Sequence, residues 1–347
     1  MWRYIDERRN RWLYIGAAII ALGFTTKETQ YITVALLGAF LVTQVWRELR
    51  DWLFARRTLS EFSAPASFLV LLTTLSLPLM AAGVAIFQGI IGVTLAAEDG
   101  TPGVATGSPN GDGWNVAIAI SAIFLATSLV IGWYWNRKVF LAAFGVFALV
   151  FVLIFANFGS NPAGVGSGAW QSLGYWLAQQ DVARGNQPWY YYFMIGSVYE
   201  FLPFGVGAMA LLFYGLKSGI HPWILLITAA AGMAVLANTS LSFERGMIKG
   251  TEHDVLTYVG KLALLVVYGS FAAIPFTLKT SRINKFLFFW TIGTFIAYTQ
   301  AGEKMPWLLV NVVLPAIILA ANTLNDVAMS IDWRKAWKSQ AALALVG

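Results

Sequence analysis

Ten apolar runs divide this chain, and few charged residues interrupt them. A bilayer core is about 30 Å thick and needs about 20 apolar helical residues to cross it. The mean hydropathy of +0.65 and a charged fraction of 12% exclude an ordinary soluble domain. The sequence therefore predicts an all-α polytopic membrane protein, with one transmembrane domain over 1–347. Its ten predicted transmembrane helices lie at roughly 12–25, 31–46, 66–93, 114–135, 139–157, 190–216, 220–238, 255–277, 286–300 and 307–322.

Basic residues are concentrated at the two termini and in the loops that follow even-numbered runs. These segments hold 17 of the 23 Lys and Arg residues: Arg3, Arg8, Arg9, Arg11, Arg47, Arg50, Arg56, Arg57, Arg137, Lys138, Lys217, Lys279, Arg282, Lys285, Arg334, Lys335 and Lys338. The positive-inside rule then predicts a multi-pass protein of the cell membrane with cytoplasmic N- and C-termini. Because these loops account for the net charge of +6, nothing in the charge balance indicates a nucleic-acid partner.

The opposite loops hold most of the polar side chains that could do chemistry. The three longer external loops are predicted at 94–113, 158–189 and 239–254, and two short turns lie near 25–30 and 302–307. Acids, cations and aromatic residues at one membrane face suit a sugar or a lipid phosphate. The alternative is a set of solvated loop charges with an aromatic interface belt. The chain has no Cys and two widely separated His residues, so we predict no metal-ligand cluster.

Three charged pairs in these loops are the sharpest candidates. Lys27-Glu28 lies in a turn between two short runs, Asp181 and Arg184 share a face at helical spacing, and Glu303-Lys304 precedes a Pro that suits the first turn of a helix. Lys304 suits an anionic lipid headgroup at the interface. The alternative for Lys27-Glu28 is a surface ion pair of little energetic value, and the alternative for Asp181 and Arg184 is a structural lid with an i,i+3 pair. Next to Arg184 are three further candidates, Gln187, Trp189 and Tyr190.

Glu200 is an acid within the sixth apolar run, and Lys261 is a cation within the eighth. An ionised side chain at the centre of a bilayer costs roughly 2.5–3.5 kcal/mol, so Glu200 should be protonated, paired or directed at a polar cavity. Lys261 is its candidate partner. A structural Glu–Lys pair and a transporter with a buried charge relay are both open.

Three stretches resemble one family of prokaryotic membrane proteins. They are RWLYIGAAIIALGFTTKETQYI (11–32), SLGYWLAQQDVARGNQPWYYY (172–192) with YEFLP (199–203), and GEKMPWL (302–308). They resemble the flippase-activity-associated proteins, in the GT-C glycosyltransferase clan that includes the protein mannosyltransferases. The resemblance covers most of the chain, and the PWYYY and GEKMPWL motifs are the most specific parts.

This resemblance implies an all-helical GT-C fold whose active site lies at the outer face and whose donor is a polyprenyl-phosphate sugar. It implies that Glu28 and Asp181 contact the sugar or acceptor as catalytic candidates. It assigns the lipid phosphate to Lys304 and Arg184, and it assigns substrate binding to further motif residues: Lys27, Gln187, Trp189, Tyr190 and Glu303. No cofactor follows from the motifs, and a divalent cation stays open.

The chain departs from the clan pattern in its first external loop, which reads TTKETQ where the clan has a catalytic acidic motif. The sequence therefore resembles the middle and C-terminal part of such a protein, and we expect the general base to lie in a segment outside it. Two other hypotheses stay open. One is a non-catalytic partner that binds lipid-linked sugar within a larger membrane complex; the other is the Glu200–Lys261 transporter.

Overall fold

The computed structural model describes residues 1–97, 106–180, 187–188, 190–238, 242–244, 247–249, 255–302 and 304–338. It divides the chain into a first unit, residues 1–183, and a second unit, residues 184–347. The all-α class predicted from the sequence is confirmed in both units. Among the described residues, the one strand pair is a short antiparallel hairpin of β1 (Ser242–Glu244) and β2 (Met247–Lys249), in which Phe243 is opposite Ile248.

The first unit holds eight of the described α-helices: α1 (Trp2–Glu7), α2 (Arg11–Thr26), α3 (Gln30–Leu53), α4 (Ala64–Ser76), α5 (Gln88–Ile91), α6 (Gly113–Phe155), α7 (Gly164–Gly166) and α8 (Ser172–Ala178). Short 3₁₀ helices occupy Leu59–Glu61 and Asn157–Gly159, a longer one at Leu77–Phe87 joins α4 to α5, and a π-helix at Ser167–Gln171 joins α7 to α8. The residues start these helices locally. Ser63 accepts a hydrogen bond from the Ala66 N–H and Pro65 stands in the first turn, a favourable beginning for α4.

The second unit holds the other seven described α-helices: α9 (Tyr191–Tyr199), α10 (Phe201–Ser218), α11 (His221–Leu236), α12 (Val255–Thr277), α13 (Arg282–Gln300), α14 (Val310–Ser330) and α15 (Trp333–Lys338). A 3₁₀ turn at Pro306–Leu309 leads into α14. Ser281 caps α13 by accepting a hydrogen bond from the Asn284 N–H. The core of this unit lies where α10, α12, α13 and α14 meet, around Tyr214, Ile274, Phe288 and Leu319.

Six helical segments in the described part of the chain are long and apolar enough to cross a membrane. They are Gln30–Leu53, Ala64–Ile91, Gly113–Phe155, Phe201–Ser218, Tyr258–Thr277 and Pro306–Ser330. Two further apolar helices, Arg11–Thr26 and His221–Leu236, have 16 residues each. At 1.5 Å per residue each is about 24 Å long, shorter than a typical bilayer core. The chain therefore has the helices of a membrane protein.

Helix α6 covers two of the predicted runs, and its backbone leaves the helical region between them, at Asn136. The Asn136 side-chain oxygen accepts a hydrogen bond from the Val139 N–H, which restarts the helix. The ring of Phe140 lies against Gly132, which has no side chain to exclude it. The bend falls next to Arg137 and Lys138, where the sequence predicted a cytoplasmic turn between two helices.

Candidate functional site

Two of the sequence motifs touch each other in the second unit. Tyr192, from the YYY run, is fully buried. Its hydroxyl donates to the Met305 carbonyl and accepts from the Met305 N–H, both at 3.1 Å. Met305 has an extended backbone and precedes the 3₁₀ turn into α14. The start of α9 is therefore fixed to the turn between α13 and α14.

Lys304 lies in that turn with its side chain wholly buried. The ammonium Nζ donates a 2.6 Å hydrogen bond to the carbonyl of Ala301, at the C-terminal end of α13. A cation at this position is favoured by the helix dipole. Burial lowers the pKa of Lys304 from its usual value to about 8, so the side chain is mostly protonated at pH 7.

Aromatic and amide side chains at the C-terminal end of α13 and in α9 and α12 lie around the turn that holds Lys304. The rings of Tyr192 and Tyr298 meet edge to face with centroids 5.9 Å apart. Gln300 donates from its amide to the Tyr268 hydroxyl. The Thr299 hydroxyl is buried and has no hydrogen-bond partner in the described part of the chain. We call Tyr192, Tyr298, Gln300, Ala301, Lys304 and Met305 the tyrosine–lysine cluster.

An apolar groove of about 360 Å³ begins one helical turn from this cluster. Phe193 follows Tyr192 in the chain and lines the groove, as does Ile296, four residues before Gln300. The groove continues between α10, α12, α13 and α14 past Gly207 and Leu319. From Ile296 to Phe288, α13 alone gives it a length of about 12 Å. Its walls are almost wholly hydrocarbon, which suits the tail of a lipid.

Lys27 and Glu28 belong to the first unit, in the turn between α2 and α3. Lys27 is exposed, and its N–H closes the last turn of α2 on the Gly23 carbonyl. The Glu28 carbonyl accepts from the Tyr31 N–H at the start of α3. Lys27 and Glu28, both of which the structure describes, form no ion pair with each other. The predicted convergence of this turn with the other loops stays a prediction.

Four predicted site residues lie outside the described residues: Asp181, Arg184, Trp189 and Glu303. Gln187 is described and half-buried, in a segment without regular structure. Tyr190 stands at the N-cap position of α9 and is 44% exposed. Among the predicted site residues that the structure describes, Lys304 lies beside the contact between the two motifs, since it precedes Met305 in the chain.

Glu200 lies at the break between α9 and α10, where its backbone is non-helical. It is half-buried, and the carbonyl of Glu200 accepts from the Phe204 N–H. No ion pair joins Glu200 to Lys261 in the structure. Lys261 is exposed, and its ammonium lies 5.7 Å from the centre of the Tyr258 ring. The Glu200–Lys261 pair considered from the sequence is therefore not formed, and the two side chains lie in different surroundings.

Sequence reasoning missed Tyr192 and Tyr298 as members of the site. Of the three consecutive tyrosines only Tyr190 was a predicted site residue, because a run of rings gives no indication of which one is buried. The available signal was the GEKMPWL motif. Its backbone polar groups must find partners when a turn is buried, and a tyrosine hydroxyl can both donate and accept.

No protein-family model matches this chain, and comparisons with curated proteins and with solved structures give no match either.

Proposed function

We propose that this chain is a GT-C-like membrane glycosyltransferase, or a large part of one, that takes its sugar from a polyprenyl-phosphate donor. The contact between Tyr192 and the Met305 backbone carries the proposal. It unites the two most specific motifs, and Ala301, whose carbonyl accepts from Lys304, lies five residues after Ile296 of the groove wall. A cation beside an apolar channel is the combination that a phosphate with a long hydrocarbon tail requires.

In this proposal the groove takes the polyprenyl chain and Lys304 takes the phosphate. Since the ammonium now donates to the Ala301 carbonyl from a buried position, the Lys304 side chain has to exchange that carbonyl for a phosphate oxygen when the donor binds. Arg184 is assigned to the same phosphate. Glu28 and Asp181 are assigned to the sugar or acceptor, and Trp189 and Tyr190 to the groove entrance, with Lys27, Gln187 and Glu303 as further substrate contacts.

We also propose that all ten apolar runs cross the cell membrane, with both termini in the cytoplasm and the tyrosine–lysine cluster at the outer face. Support comes from the grouping of basic segments within each unit. In the first unit Arg57 pairs with Glu48 at 3.0 Å, and Glu48 accepts from the Ser63 N–H. In the second, Lys217 and Lys279 line one cleft. The polyprenyl-linked sugar and the bilayer are then its partners.

Substitution within the groove tests the substrate class. Gly207 lines the groove and has open space around its Cβ position, so Gly207→Phe fills the channel. Gly205 on the same helix is equally open and does not line the groove, so Gly205→Phe is the matched control. We expect only Gly207→Phe to weaken binding of a radiolabelled polyprenyl-phosphate hexose to the purified chain, by about tenfold or more.

Lys304→Met tests the phosphate contact, with Lys261→Met as a control that removes an exposed cation from the same unit. We expect Lys304→Met to abolish donor binding and transfer while Lys261→Met retains both. Binding that depends on Lys304 without any turnover would support the non-catalytic, lipid-sugar-binding partner instead. Donor binding by Lys304→Met equal to that of the parent chain would end the assignment.

A transporter is the second candidate, and the position of Glu200 at the break of a discontinuous helix favours it. Broken helices with polar residues at the break form substrate sites in many transporters. This function predicts proteoliposome flux that disappears in Glu200→Gln. Flux that is unchanged in this variant would exclude it.

A further inference from the structure

A second cleft, of about 340 Å³, lies at the other end of the second unit, away from the tyrosine–lysine cluster along the helices. Its lining is polar and includes Lys217, Lys279, Ser281 and Asp326. The residues that form it come from the ends of three candidate membrane-spanning helices. Phe201–Ser218 ends beside Lys217, Tyr258–Thr277 ends just before Lys279, and Pro306–Ser330 ends at the cleft itself. Three spans ending together place the cleft at the depth of lipid headgroups.

The floor of this cleft is a hydrogen-bonded network that keeps it in shape. The Tyr214 hydroxyl donates to an Asp326 carboxylate oxygen at 2.7 Å and accepts from the Asn284 amide at 3.0 Å. Asn322 donates to the Asn284 side-chain oxygen at 2.9 Å. Tyr214 and Asn284 are both buried. Helices α10, α13 and α14 are therefore joined beneath the cleft, and its rim groups keep fixed spacing.

The rim carries two ammonium groups against one carboxylate. The Lys217 ammonium lies 3.6 Å from the centre of the Phe213 ring, so that side chain is held over the cleft wall. The Lys279 N–H donates to Ser218, which fixes the backbone that carries the second lysine. Asp326 accepts a hydrogen bond from the neutral Tyr214 hydroxyl, which stabilises the carboxylate and leaves its single negative charge against two lysines. The cleft as a whole presents net positive charge and hydroxyl donors.

Exposed apolar side chains lie on the same helices, toward the membrane interior. On α10 they are Met209, Leu212 and Leu216, at 57%, 52% and 77% exposure, and on α14 Leu324 is 49% exposed. A ligand with a phosphate group in the cleft and hydrocarbon tails would lay those tails along this surface. The bilayer contains such molecules in abundance, and basic pockets at helix ends are suited to their headgroups.

We infer that this cleft binds the phosphate group of a phospholipid headgroup, separately from the groove and from any sugar donor. Lys217 and Lys279 contact the phosphate oxygens, and the hydroxyl of Ser281 lies at the edge of the site. The negative charge of Asp326 repels a headgroup that carries a high negative charge, so a singly charged phosphodiester fits better than a phosphomonoester. The bound lipid would join the ends of α10, α12 and α14.

Native mass spectrometry of the full chain in detergent, with titrated lipids, tests this inference. Three probes separate the sources of a phosphate: phosphatidylglycerol, a glucosyl-diacylglycerol that has similar tails without phosphate, and free glycerophosphoglycerol, which is the same phosphodiester headgroup without tails. We expect Lys217→Gln/Lys279→Gln to weaken phosphatidylglycerol binding by about tenfold or more. The control Arg334→Gln/Lys335→Gln removes the same charge outside the cleft lining and should change binding less than about threefold.

The probes give distinct outcomes. Displacement of phosphatidylglycerol by free glycerophosphoglycerol would mean that the cleft takes a phosphodiester from either source, whereas no displacement would mean that the tails are required; both results support a phosphate site. Asp326→Asn, which keeps an acceptor for Tyr214, should tighten phosphatidylglycerol binding severalfold. Equal losses in the cleft and control variants, or glucosyl-diacylglycerol binding as tight as phosphatidylglycerol binding, would overturn the inference.

Discussion

At the scale of single residues, Tyr192 and Lys304 show how a buried polar turn is stabilised among apolar helices. A backbone N–H or carbonyl that is buried without a partner costs about 1–3 kcal/mol. The Tyr192 hydroxyl supplies partners for both groups of Met305, and the Lys304 ammonium supplies one for Ala301. If a lipid phosphate enters, the Lys304 ammonium would exchange the Ala301 carbonyl for a phosphate oxygen.

Removal of the Tyr192 hydroxyl should destabilise the chain. Tyr192→Phe keeps the ring packed on Tyr298 and leaves the Met305 N–H without its partner, while the Met305 carbonyl still accepts from the Leu308 N–H, for an expected loss of about 1–3 kcal/mol. Tyr199→Phe is the control, since Tyr199 is 78% exposed. Thermal unfolding in detergent micelles measures both. Equal unfolding temperatures for the two variants would show that the Met305 contact contributes nothing.

The buried lysine should make stability depend on pH in a window that its pKa defines. Its pKa is about 8 in the folded chain against 10.5 when unfolded, so between these values the unfolded chain binds more protons. Stability should therefore rise as the pH increases from about 8 to 10.5, by at most about 3 kcal/mol, and the penalty is fully present below pH 8.

Comparison of the parent chain with Lys304→Met isolates this effect, because the other titrating groups are common to both. The difference in unfolding free energy should shift in favour of the parent as the pH rises through the window. A difference that stays constant from pH 7 to pH 10 would mean that Lys304 keeps an ordinary pKa.

At the scale of elements, three bends in the helices share one construction. In each, a glycine lies four residues before the break and an aromatic residue lies four residues after it, with the ring against the glycine. The three sets are Gly132, Asn136 and Phe140; Gly196, Glu200 and Phe204; and Gly215, Gly219 and Trp223. A glycine has no Cβ, so the returning ring can approach the backbone closely. The Glu200 break is thus one instance of a repeated element.

A methyl group at Gly132 should disturb its bend. A Cβ there would overlap the Phe140 ring, so Gly132→Ala is expected to cost about 1–3 kcal/mol. Gly145 lies in the same helix with open space around it, and Gly145→Ala should be neutral or stabilising by about 0.5–1 kcal/mol. Chemical denaturation of both variants checks this.

A second substitution shows whether overlap is the cause. Phe140→Leu in the Gly132→Ala background shortens the opposing side chain and should recover part of the lost stability. If the double variant is as unstable as the sum of the single variants, the ring and the glycine act independently.

The sequence predicted the helices better than it predicted the contacts between them. Helical structure lies at each apolar run, although 114–135 and 139–157 form one bent helix and 190–216 is broken at Glu200. Helices are expected there because an apolar segment in a bilayer must satisfy its backbone hydrogen bonds internally. The sequence placed a turn near 136–138, and it did not predict that Asn136 alone would bend one continuous helix. Nor did it predict the 3₁₀ segment Leu77–Phe87 or the hydrogen bonds of the Tyr192 hydroxyl to Met305. Each depends on which side chains meet across helices, and a periodic pattern of apolar residues does not encode that information.

At the scale of the whole molecule, each unit gathers its basic segments at one end. In the first unit Glu48 joins Arg57 and Ser63, and Trp135 donates to Ser67 close to Arg137. At the opposite end Trp170 donates to the Leu95 carbonyl. The second unit has Lys217 and Lys279 at one end and the tyrosine–lysine cluster at the other. Such polarity within each unit is what alternate membrane crossings produce.

The absence of cysteine from this chain makes its topology directly measurable. Single cysteines at Ser60 and His221 mark the basic ends of the two units, and those at Asn110 and Asn238 mark the opposite ends; all four positions are exposed. In intact cells an impermeant maleimide should label only the Asn110 and Asn238 variants, and permeabilisation should expose the other two.

Since His221 and Asn238 stand at the two ends of α11, this pair also tests whether a helix of 16 residues crosses the bilayer. Labelling of Ser60 and His221 on opposite sides would require an odd number of crossings between them and contradict the ten-helix arrangement. Reversal of all four positions would put the tyrosine–lysine cluster in the cytoplasm and remove the basis for sugar transfer at the outer face.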